Sequence, residues 1–579
     1  MIVNKFSLLV GGEAGAGITR SGFLFAKSCL RGGLSVFGVN DYQSLIRGGH
    51  NFYVARVDEE EIYSQADMVD LIVALNKETI LFHKGELVSG GGVIYDGEQI
   101  ELTDDELGRK DIKLYPVPLR KIVKELEGPQ IVENTVALGA VTALLDFELD
   151  ILNGVLRDTF KEKIAEQNIE AAKQGYDYVK QHFKNDFKYK LRKIGAAKKN
   201  RLFLTGNEAV GLGALDAGCK FYAAYPMTPA TSLLHFLAPL DREYGMVVVQ
   251  TESEIAAVNM VAGASFAGVR AMTATSGGGF CLMTEGVGML GMTENSPVIL
   301  LVQRPGPSTG LPTYSAQGDL RFALHASQGE FPRVLVAPGD VEECFYVTSE
   351  AFNLAEKFQV PAIIISDKYL AESHGTSRVF DQNRVTVDRG DLIVGDKYSG
   401  GEEYKRHRFT ESGVSPRAMP GMRGAIVRTN ADEHNELGYT TEDPELTTKM
   451  NDKRMRKLDG LVEELEKYTT VKLFGPEEAD VTIVGWGSTK GPIREAMKLL
   501  KDVKVNFLQI LYLHPFPVEK VRARLESAKK TVVVENNITS QLSSLIREYL
   551  LTTVDHKILK YDGRPFNPEA LAKKIREVL

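Results

Sequence analysis

Thr228, Arg304 and Glu254 each follow a strand-like run, and their types suit them to hold a ligand. Thr228 lies in Tyr225-Pro-Met-Thr-Pro-Ala-Thr-Ser232, directly after the run Phe221-Tyr-Ala-Ala. Proline fixes its own φ and biases the preceding residue toward extended backbone, so the two flanking prolines stiffen this turn. A threonine held that way can aim its hydroxyl at a ligand. Read alone, the segment is a tight turn opening a helix at Thr231 or Ser232, and that reading has the advantage. Arg304 ends the strand Val298 to Val302 and runs into Pro-Gly-Pro, which fixes its position. Its planar fork suits a carboxylate, and ligands gather at the C-terminal ends of parallel strands. The plain alternative is a surface arginine in a loop, with Arg321 as competitor. Glu254 follows the strand Met246 to Gln250 and opens a helix, Ile255 to Val269, of small residues. Ser253 is a natural cap there, and an acid in the first turn is favoured by the helix dipole. Without its neighbours, that structural role has the advantage for Glu254.

The surrounding elements change those odds. Thr273-Ala-Thr-Ser-Gly-Gly-Gly279 follows the small-residue helix, and Gln303-Arg304-Pro-Gly-Pro-Ser-Thr-Gly-Leu-Pro-Thr313 follows the next strand. In this order the chain resembles the α subunit of 2-oxoacid:ferredoxin oxidoreductases, which are thiamine diphosphate enzymes. The family's Tyr-Pro-Ile-Thr-Pro signature stands here with Met227 in place of Ile. Ser44-Leu-Ile-Arg-Gly-Gly-His50 looks like a motif of the family's γ subunit, fused ahead of α. Val484-Gly-Trp-Gly-Ser488, Leu513-His-Pro-Phe-Pro517 and Tyr561-Asp-Gly-Arg-Pro-Phe566 resemble the α subunit's C-terminal domain. The resemblance thus covers nearly the whole chain.

The resemblance implies roles. Thiamine diphosphate needs a carboxylate hydrogen-bonded to N1′ of its pyrimidine, a short and strong charge-assisted bond. Glu254 is the candidate and Glu252 the alternative. Arg304 would take the carboxylate of a 2-oxoacid, and Thr228 would hydrogen-bond the substrate, with Tyr225 and Pro226 lining the cofactor. Coenzyme A is associated with the γ-type domain, which puts forward Gly15, Gly17 and Arg47. Gly277-Gly278-Gly279 and Pro307-Ser-Thr-Gly310 are either turns with amides facing a ligand or loops that allow close packing on a partner.

Composition bounds the rest. At 579 residues the chain exceeds one hydrophobic core, so two to four domains are expected. A net charge of −8 speaks against a nucleic-acid partner. No apolar run approaches membrane-spanning length, and the Met-Ile-Val-Asn-Lys start reads as a strand rather than a signal peptide, so the cytoplasm is expected. The four cysteines, Cys29, Cys219, Cys281 and Cys344, form no Cys-x-x-Cys pair. Clusters and structural zinc draw on grouped thiolates, so a 4Fe–4S cluster is expected on another polypeptide.

Strand–helix alternation predicts three α/β units in series with mostly parallel sheets. They are a γ-type, Rossmann-like domain over 1–185, a pyrimidine-binding-like domain over 202–395 and a small transketolase-C-terminal-like domain over 471–579. A basic linker, 186–201, reads as a solvated connector. Residues 396–470 read as an irregular excursion followed by a charged helix, Glu445 to Tyr468.

The loop Gly11-Gly-Glu-Ala-Gly-Ala-Gly17 lets backbone N–H groups approach a phosphate, but it lacks the third glycine of a dinucleotide fingerprint and the lysine of a P-loop. Asp41 ends the second strand at the place of a ribose-binding acid, but one acid is weak evidence and does not make this an NAD site. His434, His50 and His514 are each alone and read as structural, not as metal ligands. The Gly-Asp-Gly…Asn motif by which thiamine enzymes hold Mg²⁺ is missing, so the metal and the diphosphate half of the site are expected on a β subunit. The whole reads as the fused γα chain of a 2-oxoacid:ferredoxin oxidoreductase, with 2-oxoglutarate weakly preferred and a dimer of heterodimers expected. A transketolase-type thiamine enzyme and a non-catalytic nucleotide-binding scaffold are the alternatives.

Overall fold

A computed structural model describes residues 1–44, 48–184, 187–195 and 200–579. The chain divides into two compact units. One comprises Met1–Leu204, Ser373–Val379 and Asn567–Glu569; the other comprises Thr205–Glu372, Phe380–Phe566 and Ala570–Leu579.

The first unit is built on an eight-stranded sheet. Phe6–Glu13 runs parallel to Val69–Ala74, which continues in parallel through Leu87–Tyr95 to Lys113–Pro116. On its other side the sheet turns antiparallel, through His50–Asp58 and Ser35–Asp41. The sheet is therefore mixed, because His50–Asp58 runs antiparallel between its two predecessors. The helices Glu133–Leu144 and Glu162–His182 pack closely. A Cβ at Gly139 would meet the backbone of Ala172, and one at Gly175 the backbone of Val136.

The basic segment expected as a solvated linker is a correction in its described part, 187–195. Phe187, Tyr189 and Leu191 belong to the hydrophobic core of the unit. Tyr189–Lys190 pairs in parallel with Ile2–Val3, and the Lys190 ammonium donates to the Leu144 carbonyl at 3.0 Å. The lysines and arginines mask an alternation of aromatic and aliphatic residues that drives the segment into the core.

The second unit holds a seven-stranded sheet in the order Val247–Gln250, Phe221–Ala224, Ala271–Thr275, Val298–Gln303, Ala362–Asp367, Val334–Val336, Tyr512–His514. The first six strands are parallel and the last is antiparallel. A second sheet of five strands is formed by Val471–Phe474, Val505–Ile510, Val481–Gly485, Thr531–Glu535 and His556–Leu559. One hydrophobic cluster runs from Ile299 and Leu335 of the larger sheet to Val484, Leu508 and Val533 of the smaller. The two later α/β blocks thus share a core.

Residues 380–443 carry little regular structure and are fastened by ion pairs. The buried Glu356 carboxylate accepts from Arg270 and Arg417 at 2.8 Å each and forms an ion pair with Arg389 at 2.6 Å. The charged helix observed, Pro444–Leu465, is capped by Asp443, whose side chain accepts from the Leu446 N–H at 2.8 Å.

Candidate functional site

Three adjacent parallel strands of the second unit, Phe221–Ala224, Ala271–Thr275 and Val298–Gln303, deliver Tyr225, Ser276 and Arg304 to the same sheet edge, and Val247–Gln250 delivers Thr251 beside them. That edge is where side chains of a parallel sheet meet ligands.

The Tyr225–Pro229 segment is a tight turn. The Met227 carbonyl accepts from the Ala230 N–H at 2.8 Å, and the helix Thr231–Leu237 follows. The Arg304 guanidinium donates to the Thr228 carbonyl at 2.7 Å, reaching across the intervening strand. It is half-buried, and burial pulls its pKa down. Arg321, its competitor in the sequence, is occupied elsewhere: it pairs with Glu548 and donates to Ser544. Tyr225 is exposed, and Pro226 and Thr228 are half-buried.

Glu254 begins the helix Glu254–Phe266, and Ser253 caps that helix by accepting from the Ala256 N–H at 3.2 Å. The plain structural reading of this pair is therefore seen, yet it leaves the Glu254 carboxylate unexplained. Glu254 is 3% exposed, and its Oε1 is buried without a hydrogen-bond partner. A buried polar atom in that condition costs free energy that a ligand donor can recover. Glu252, two residues earlier, is exposed. Gly279 makes the room: a Cβ there would lie 2.5 Å from Glu254 Oε1. The triple glycine is thus the first turn of the helix Gly277–Thr293, packed against a carboxylate.

Sequence reasoning passed over two polar groups at this turn. Ser276 precedes the helix but makes no capping bond, and its hydroxyl is buried and unpartnered. Asp319 lies on the far side, where a Cβ on Gly277 would meet its Oδ2 at 2.6 Å, and that oxygen is likewise unpartnered. An aspartate before Leu320 reads as an ordinary helix opener, so no local signal marks it.

In the first unit, Gly17 adopts φ 77° at the start of the helix Ile18–Arg31, which has neither a side-chain cap nor an acid in its first turn. Gly15, at φ 90°, has open space where a Cβ would stand. Arg47 lies outside the described residues. His50 and His83 face each other with Nε2 atoms 2.8 Å apart, His434 bonds the Asp432 carbonyl, and His514 bonds Tyr549. Among the described residues no group of three or more His, Cys, Asp and Glu is arranged to hold a metal ion. Among them, too, no helix is long and apolar enough to cross a membrane.

The fit to thiamine diphosphate is one-sided. A buried carboxylate oxygen left without a donor suits the aminopyrimidine. The helix Glu254–Phe266 is rich in small and apolar residues, and Ile255 and Met260 on it are exposed, as is Leu282 on the neighbouring helix. A cavity of about 640 Å³ opens between these helices, lined by Ile255, Leu282, Met289 and Phe331 among others.

Three family descriptions match the chain in series. "Pyruvate ferredoxin/flavodoxin oxidoreductase" matches residues 7–178, "Pyruvate flavodoxin/ferredoxin oxidoreductase, thiamine diP-bdg" residues 212–453, and "Pyruvate:ferredoxin oxidoreductase core domain II" residues 479–571. The chain is 33% identical to a 2-oxoacid:ferredoxin oxidoreductase subunit alpha of Sulfolobus sp, over 99% of this chain and 97% of the relative. It is 34% identical to a 2-oxoglutarate synthase subunit KorA of Methanothermobacter thermautotrophicus, covering 64% of this chain and 97% of that one. Among solved structures, the 2-oxoglutarate:ferredoxin oxidoreductase of Magnetococcus marinus, with 2-oxoglutarate, coenzyme A and succinyl-CoA bound, superposes with a TM-score of 0.90 at 35% identity over 99% of both chains.

Proposed function

Because this chain belongs to the 2-oxoacid:ferredoxin oxidoreductase family, as a subunit of a thiamine diphosphate-dependent 2-oxoacid oxidoreductase, we propose that it supplies the pyrimidine-binding and substrate-carboxylate half of the active site. The reaction is oxidative decarboxylation of a 2-oxoacid to an acyl-CoA, with electrons passed to ferredoxin. The observation that carries the assignment is the buried, partnerless Glu254 Oε1 at the edge of the parallel sheet.

Thiamine diphosphate, when bound, supplies the carbon nucleophile and the electron sink. Glu254 accepts from the pyrimidine N1′ and holds a proton there. Arg304 binds the 2-oxoacid carboxylate and is itself oriented by the Thr228 carbonyl. Thr228 hydrogen-bonds the substrate, and Tyr225 and Pro226 wall the cofactor. A β subunit covers the apolar face around Ile255, Met260 and Leu282 and brings Mg²⁺, the diphosphate site and a 4Fe–4S cluster; two such pairs form a dimer of heterodimers. Coenzyme A docks on the first unit through Gly15, Gly17 and Arg47. The substrate is 2-oxoglutarate, in keeping with the Magnetococcus marinus and KorA relatives. Within this reading, residues 1–185 are the γ-type domain and 202–395 and 471–579 the α-type domains, and the complex works in the cytoplasm.

The test is 2-oxoacid-dependent viologen or ferredoxin reduction by the chain co-expressed with its β subunit. Glu254→Gln is expected to lower turnover by at least about a hundredfold while the complex still assembles. Undiminished turnover removes Glu254 from the site.

A further inference from the structure

Two carboxylates, not one, stand at the first turn of the helix Gly277–Thr293 with an oxygen left over. Glu254 approaches from the side of Gly279 and Asp319 from the side of Gly277. Each keeps a buried oxygen with no donor, and so does the fully buried Ser276 hydroxyl between them. A helix of 17 residues directs the positive end of its dipole at this place, which favours a negative charge there. Three uncompensated polar atoms around one uncapped helix start mark a ligand surface larger than one carboxylate can serve.

Asp319 is also held by more than its neighbours in sequence. The Gln303 side chain, next to Arg304, accepts from the Asp319 N–H at 2.9 Å. Two residues earlier, Gln317 is fully buried and bound four ways to the C-terminal block. Its N–H donates to the Asn536 carbonyl at 2.8 Å, and its side chain donates to the Trp486 carbonyl at 2.8 Å. It accepts from the Asn536 N–H at 2.9 Å and from the Asn537 amide at 3.0 Å. Ser315 donates its N–H to the Gly563 carbonyl at 3.0 Å, inside the Tyr561–Phe566 motif, and the Gln541 amide donates to the Gly318 carbonyl at 2.7 Å. The loop from Arg304 to Asp319 is thereby clamped by residues more than 160 positions away along the chain.

We propose that Asp319 is a second ligand-facing acid of this site, accepting a hydrogen bond from an N–H or O–H donor of the bound cofactor or of the 2-oxoacid-derived group it carries, and that the C-terminal block holds it there through Gln317. This rests on the functional reading above. Burial raises the Asp319 carboxyl to about 6, and no neighbouring charge contributes to that shift. The titratable group facing it from the helix is the exposed Cys281, whose thiol is raised by burial and by the Asp319 charge, while Arg321 is engaged with Glu548. The carboxylate accepts well above its pKa and poorly below it, so turnover falls as pH drops through that value.

The test uses the complex with its β subunit. Asp319→Asn is expected to lower kcat about a hundredfold and to flatten the acidic limb of the pH–rate profile. Calorimetric titration with thiamine diphosphate and Mg²⁺ tells the two donors apart: weakened binding places the donor on the cofactor, and unchanged binding with lost kcat places it on the substrate. Alkylation of the full chain by iodoacetamide gives a readout independent of turnover. Cys281 is exposed whereas Cys29, Cys219 and Cys344 are buried, and its rate near pH 8 is expected to rise severalfold in Asp319→Asn as the neighbouring negative charge is lost. Gln317→Ala should lower kcat and leave the limb in place. Wild-type kcat with an intact acidic limb in Asp319→Asn overturns the proposal. If that variant does not assemble, Asp319→Glu must displace the limb, and a limb at its wild-type position overturns the proposal equally. Glu254→Gln run alongside separates the two inferences: activity surviving there removes the functional reading, whereas activity lost there and kept in Asp319→Asn removes only Asp319.

Discussion

The helix Gly277–Thr293 buries carboxylates at both ends and treats them oppositely. At its start, Glu254 and Asp319 each keep an oxygen without a partner. At its finish, Glu294 is 1% exposed and saturated. Lys453 donates to its two oxygens at 2.6 and 2.8 Å, His407 bonds Oε1 at 2.9 Å, and Lys457 completes the set. Arg406 adds a bond at 2.7 Å to the Glu294 backbone carbonyl, where the helix dipole is negative. Burial alone therefore does not tell a structural acid from a ligand-binding one; the state of its acceptors does. The saturated end fixes the helix to the irregular segment and to Pro444–Leu465, and the unsaturated end is left for chemistry.

The largest effect should come from the saturated end. Glu294→Gln leaves two lysines and an arginine buried without their counter-charge, and breaking such a cluster costs about 3–5 kcal/mol. The thermal midpoint of the purified chain is expected to fall by about 4–6 °C. Glu254→Gln, at the other end, should move it by less than about 1 kcal/mol in equivalent stability, or raise it, because it removes an uncompensated charge. Equal losses from the two variants would erase the distinction. The pH dependence follows with its sign. Burial opposes ionisation of Glu294, but Lys453, Lys457 and His407 together overcome it and hold the carboxyl well below its usual value. Its contribution is complete above the unfolded carboxyl's pKa and is lost only as pH falls through the depressed folded value, so the wild-type midpoint should drop in strong acid and the Glu294→Gln midpoint should drop less.

Much of the unsaturated end was legible in the sequence, and almost none of the saturated end was. Strands such as Val481–Gly485 and Val298–Gln303 announce themselves as short apolar runs, and the residues just past them are easily nominated for a site. Charges on Pro444–Leu465 read as a solvated face, yet Lys453 and Lys457, one turn apart, are buried on a carboxylate 159 residues away from Lys453. No local pattern encodes that partner. The strand His50–Asp58 leaves no mark in the strand–helix alternation because its entry is antiparallel, and in the basic segment charge obscures Phe187, Tyr189 and Leu191. Asp319 was invisible for a related reason, since what isolates its carboxylate is packing against Gly277 and a clamp from the C-terminal block.

Gly279 offers an intermediate effect. A methyl group there would overlap the Thr275 Oγ1 and lie 2.5 Å from Glu254 Oε1, so both of these buried side chains must shift. Gly279→Ala should therefore fold but displace the carboxylate. Thiamine diphosphate affinity of the complex is expected to fall by about tenfold or more, with a stability loss of about 1–3 kcal/mol from the overpacking. Unchanged affinity would mean that the carboxylate does not face the cofactor.

The smallest effect isolates burial from position. Glu252 and Glu254 lie two residues apart on the same strand-to-helix junction, and the sequence offered both as the pyrimidine acid. Glu252 is exposed, so water already satisfies its oxygens and nothing is recovered when a ligand donor arrives. Glu254 has its chain direction set by the Ser253 cap and its Oε1 sealed against Gly279. Glu252→Gln should leave kcat and cofactor affinity within about twofold and stability within about 0.5 kcal/mol, as for other surface substitutions. A loss in Glu252→Gln comparable to that in Glu254→Gln would show that net negative charge at this junction, not one desolvated acceptor, is what the site requires.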